Sequence, residues 1–112
     1  MNSAELWRQI IERAQNQAFE IHTVPQNKRE PLWFRVSSDG NHLIISQAGD
    51  HVPSSTLKVP RIISFQEFDK IYPYYDLRRK GESISQEVGR KSMNTAYIYG
   101  LIADVLDEHS RE

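Results

Sequence analysis

Along the first part of the chain, Leu6, Ile10, Ile11, Ala14 and Ala18 recur at spacings of three and four, with Trp7 widening the stripe. Arg8, Glu12, Arg13, Gln15 and Gln17 fall mostly on the opposite side. That period is the signature of an amphipathic helix, here of about five turns. Ser3 is placed to cap it, and Glu5 in its first turn suits the positive end of the helix dipole. The helix must stop before Pro25, because the residue preceding a proline is disfavoured in helical geometry. Pro25 to Pro31 then reads as an exposed loop.

The period then changes. Leu32, Phe34 and Val36 alternate with Trp33 and Arg35, as in a half-buried strand. Asp39-Gly40-Asn41 tolerates the positive φ of a tight turn, and Leu43-Ile44-Ile45 resumes the apolar run. These residues predict a β-hairpin. The segment from Gly49 to Thr56 is polar and turn-rich, and reads as a surface loop. Leu57 to Ile63 makes one more short strand, which Pro60 pushes toward a sheet edge because it cannot donate to the ladder.

Ser64 and Glu67 have the spacing of a capping box. Phe65, Phe68, Ile71, Tyr72 and Tyr75 follow as a helical stripe, which Pro73 is expected to kink or restart. Arg78, Arg79 and Lys80 before Gly81 suit a helix C-terminus, where positive charge meets the negative dipole end. From residue 84 to 108 the chain reads as one helix or two. Gly89, Ser92, Asn94 and Thr95 together disfavour helix by roughly 2 kcal/mol relative to alanine, which favours a break near residues 91–94. Ile98, Leu101, Ile102 and Val105 form the apolar stripe of the last segment. The element order predicts an α+β fold in one domain over residues 1–112: an N-terminal helix, a small antiparallel hairpin or sheet, then two or three C-terminal helices.

Composition narrows the chemistry. The 112 residues contain no cysteine, which excludes disulfides, thiolate metal sites and cysteine catalysis and fits a reducing compartment. No apolar run approaches the ~20 residues that cross a bilayer, and the N-terminus lacks the pattern of a secretory signal. A cytoplasmic location without membrane attachment is the expectation. The formal net charge of −1 gives no global attraction to nucleic acid. It is unevenly spread, however: residues 58–91 carry +3 and residues 104–112 carry −3.

Chemistry-bearing patterns are sparse. His22, His42, His51 and His109 are scattered, although His42 and the Asp50-His51 pair flank one strand and could approach each other as a metal or general-base site. There is no glycine-rich phosphate loop and no nucleophile elbow. No catalytic residue, metal ligand or cofactor is assigned from the sequence, and an enzyme, such as a metal-dependent nuclease or hydrolase, is the least supported class.

A short helix from Ile84 to Lys91, a turn at Ser92-Met93 and a longer helix beyond would be arranged as in a helix-turn-helix. Asn94, Thr95 and Tyr97 would then face base edges of double-stranded DNA, with Arg78, Arg79, Arg90 and Lys91 on phosphates. A plain helical hairpin packed on the core explains the same pattern. The leading expectation is a non-enzymatic, DNA-associated or regulatory binding domain. The alternative is a protein-interaction or inhibitor-type module, with tyrosines and arginines at its centre. An exposed apolar stripe on the first helix would imply a homodimer.

Overall fold

A computed structural model describes residues 2–24, 30–79 and 94–106. The fold is α+β, as the element order predicts: helix α1 (Ser3–Asn16), strands β1 (Phe19–His22), β2 (Trp33–Ser38), β3 (Leu43–Gln47) and β4 (Arg61–Ile63), then α2 (Phe65–Arg79) and α3 (Thr95–Val105). The strands form one antiparallel sheet in the order β1-β2-β3-β4. The three helices of the described residues pack together, α1 against β2 and α3 against β1, on one side of the sheet.

Helix α1 is shorter than its apolar stripe suggests, and its cap lies one residue earlier than expected. Asn2 Oδ1 accepts from the Glu5 amide at 2.9 Å, and Glu5 Oε1 accepts from the Asn2 amide at 3.3 Å. Asn2 and Glu5 have the three-residue spacing that a capping box requires, whereas Ser3 would need a Glu or Gln at position 6, which is leucine. Ser3 Oγ instead donates to Asp69 and ties α1 to α2. Leu6, Ile10, Ile11 and Ala14 are all buried, so the apolar stripe of this helix faces the core of its own chain.

Ala18 continues the helical spacing but lies beyond the helix, and the four residues after it form β1, a strand absent from the expected elements. The hairpin of β2 and β3 forms as expected, with Gly40 at φ +96° in its turn, a conformation that disfavours other residues. Strand β4 is short and lies at the sheet edge beside Pro60.

Pro73 does not interrupt α2, which runs through it. Phe68 and Ile71 before the proline and Tyr75 after it are buried, so both halves of the helix are held to the same core. Helix α3 begins after Asn94, consistent with a break near residues 91–94; the short helix expected before it lies outside the described residues. Six consecutive residues of α3, Ile98 to Ala103, are buried, the pattern of a helix enclosed on most sides. Gly100 faces β1 and β2, where an added Cβ would come within 2.9 Å of the His22 carbonyl oxygen and 3.2 Å of the Phe34 ring.

Candidate functional site

Alternation along the strands divides the sheet. Ile21, Phe34, Val36, Leu43, Ile45 and Ile63 face the helices and are buried. Their strand neighbours Glu20, His22, Trp33, Arg35, Ser37, Ile44, Ser46 and Ile62 therefore project from the other face. Register places them in rows: His22 beside Trp33, then Glu20 beside Arg35 and Ser46, then Ser37 beside Ile44 and Ile62. No described helix lies on this outer face.

The loop after β3 folds back over part of it. Glu20, whose side chain is only 4% exposed, accepts from the Gly49 amide at 2.7 Å, the Asp50 amide at 3.2 Å and His51 Nδ1 at 2.8 Å. With Glu20 ionised, Nδ1 of His51 carries the proton. Burial pushes the Glu20 carboxyl upward, but the hydrogen bonds from His51, Gly49 and Asp50, with the charge of His51, outweigh it and hold the group below its ordinary value.

The His51 ring stacks on Trp33 with centroids 3.8 Å apart and planes at 11°, while His22 meets the same indole edge-on at 4.9 Å. The Trp33 amide donates to the Pro53 carbonyl, and the Ser55 amide donates to the Trp33 carbonyl, both at 2.9 Å. Loop 48–55 is thus fixed through its backbone at Gly49, Asp50, Pro53 and Ser55. Between these anchors Val52 projects into solvent with 86% exposure.

A carboxylate-oriented imidazole is one component of a general-base site, but a substrate would need a cavity beside it. A cavity of about 230 Å³ lies among α1, β1 and α3, lined by Gln9, Ile10, Arg13, Phe19, Leu101, Asp104 and Val105. Arg13 crosses the Phe19 ring at 3.7 Å and pairs with Asp104. The expected approach of His42 to Asp50-His51 does not form an acid–base cluster. The two histidines flank opposite ends of β3, and His42 pairs with Asp39 at 3.6 Å while His51 pairs with Glu20. Among the described residues, no group of three or more histidine, aspartate or glutamate side chains could hold a metal ion.

The residues expected to meet DNA are placed as follows. Asn94 is 8% exposed; its Nδ2 donates to Glu67 Oε2 at 2.9 Å and its Oδ1 accepts from Arg61 Nη1 at 3.4 Å. The amide that base recognition needs at the surface instead joins β4, α2 and the start of α3. Ser64 Oγ caps α2 through the Glu67 amide at 3.2 Å, leaving the Glu67 carboxylate directed at Asn94. Thr95 is half-buried, and Tyr97 packs edge-on against Phe34 at 5.0 Å. Arg78 and Arg79 end α2, with side chains outside the described residues, as are Arg90 and Lys91 altogether. Among the tyrosines, Tyr75 and Tyr99 are buried, and Tyr72, Tyr74 and Tyr97 are partly buried against the core.

Glu20, Trp33, Arg35, His51 and Val52 were not singled out as a group by the sequence. Their one signal is the two-residue alternation of Phe19-Glu20-Ile21-His22, which continues the apolar run of α1 and is easily absorbed into it. No family model matches the chain, and neither a curated protein nor a solved structure matches it significantly.

Proposed function

We propose that the protein is a non-enzymatic binding domain that meets a protein partner through the outer face of its sheet and loop 48–55. The observation that carries this reading is Val52, 86% exposed at the tip of a loop whose backbone amides are held by the Glu20 carboxylate, whose side chain is 4% exposed. A loop fixed before binding loses little conformational freedom on association, so an apolar tip contributes more of its burial to affinity. Val59 at 73% and Ile62 at 53% exposure add apolar surface in and beside β4. The burial of Asn94 weighs against the DNA-associated reading, whose cations lie outside the described residues, Arg78 and Arg79 by their side chains and Arg90 and Lys91 altogether.

Affinity capture from a lysate of the source cell, with wild type and Val52→Glu side by side, tests the proposal. A protein retained by wild type and lost by the variant, with unchanged circular dichroism, is the expected result. Equal capture by both overturns it. So does salt-sensitive binding of random duplex DNA that Arg90→Glu abolishes, because phosphate contacts make affinity fall steeply as salt rises.

A further inference from the structure

The outer face carries a cation whose neighbouring acid is already engaged. Arg35 projects from the middle of β2 with its side chain about half exposed, and its ion pair with Glu20 is stretched to 4.0 Å. Glu20 spends its closer contacts on the loop, at 2.7 Å to Gly49 and 2.8 Å to His51. Across the strand from Arg35 lies Ser46, and two residues along β2 lies Ser37, both short and neutral. Asp50, the exposed acid on the loop, makes no ion pair with Arg35. A planar guanidinium left in this way is suited to a bidentate carboxylate from outside.

Apolar surface lies on both sides of that cation. Trp33 is two residues away on the same strand, about 7 Å, its ring stacked by His51 and met edge-on by His22, and the exposed Val52 follows His51 along the loop. Ile44 is the diagonal neighbour of the other end, again about 7–8 Å from Arg35, with Ile62 beside it on β4. Side chains i, i+2 and i+4 of an extended chain project from one side at this same spacing.

From this juxtaposition we infer that the partner presents an extended segment in which an aspartate or glutamate at Arg35 is flanked, two residues to either side, by apolar side chains. The inference rests on the reading of the outer face as a protein-binding surface and adds the partner's chemistry. The acid pairs with the Arg35 guanidinium, one apolar side chain packs on Val52 beside the His51-covered Trp33, and the other covers Ile44 and Ile62.

Selection from a random twelve-residue peptide library displayed on phage, against wild type with counter-selection on Val52→Glu, supplies the probe. The expected peptides carry an acidic residue with apolar residues at ±2. Arg35→Glu should weaken them at least tenfold by fluorescence anisotropy, and Arg35→Gln severalfold. Replacing the peptide acid with lysine should restore binding to Arg35→Glu, an outcome that damage to the fold could not produce. Selected peptides without the acid, or affinities within twofold for Arg35→Glu, overturn the inference while leaving the binding face in place. Failure to obtain any peptide that distinguishes wild type from Val52→Glu removes both. A concentration-dependent dimer in sedimentation, lost in Arg35→Glu, would give the face to a second copy of the chain and overturn the inference.

Discussion

Phe34 and Trp33 are consecutive residues of β2 that leave the strand in opposite directions. Phe34 is fully buried, with Tyr97 edge-on at 5.0 Å and α3 close enough that only a glycine at position 100 fits beside it. Trp33 carries the larger ring but stays only half-buried, covered by one histidine stacked on it and another at its edge. The helix-side residue is held by the close-packed surface of α3 and the core. Its neighbour is held by a loop, and that loop is held by a carboxylate. One side of the sheet is therefore fixed by packing and the other by a few polar contacts, and a substitution should behave according to the side it falls on.

Phe34→Ala should produce the largest loss, about 3–5 kcal/mol, because it removes a fully buried ring from a close-packed site. Urea denaturation checks this, and a loss no greater than that of Trp33→Ala would erase the contrast between the two faces. Gly100→Val should cost about 1–3 kcal/mol by overpacking, since a Cβ there meets the His22 carbonyl at 2.9 Å, where backbone must move. Asn94→Ala should cost about 1–2 kcal/mol by leaving Glu67 and Arg61 without their shared partner. Ile62→Lys, on the outer face, should change stability by less than about 0.5 kcal/mol while weakening any partner that covers β4.

The helix-side architecture was largely legible in the sequence because packing writes itself as periodicity. Leu6, Ile10, Ile11 and Ala14 declare α1, Phe34 and Val36 declare β2, and Ile98, Leu101 and Ile102 declare α3. Strand β1 was missed because its four residues follow Ala18, which sits in helical register with the stripe before it. Pro73 reads as a break from its missing N–H, but its cost is local, and the burial of Phe68, Ile71 and Tyr75 is shared by both halves of α2.

The outer site was hidden for a different reason. Glu20, Trp33, Arg35 and His51 come from two strands and a loop, 31 residues apart at the Glu20–His51 hydrogen bond. Such a grouping has no spacing to read. Asn94 illustrates the converse: its position before a helix suggests exposure, and only the fold shows Glu67 and Arg61 closing over it.

Acidity separates the two faces as well. A carboxylate held below its ordinary value stabilises the folded form fully above its unfolded pKa and loses that contribution as pH falls through the folded one. For Glu20 the contribution is therefore complete at neutral pH and disappears only on acidification below the ordinary glutamate value, about 4.3. The loop should be released in that window, its amides losing protection before those of α3, and a loop released instead between pH 5 and 8 would place the controlling group elsewhere.

The most direct measurement is amide hydrogen exchange at Gly49 and Asp50 in wild type and Glu20→Gln at neutral pH. If one buried carboxylate holds the outer loop, both amides exchange slowly in wild type. In the variant they exchange at least tenfold faster, while Ile98 to Ala103 of α3 are unchanged. Rapid exchange at Gly49 and Asp50 in both proteins, or equal protection in both, would contradict the claim that Glu20 fixes the loop in place.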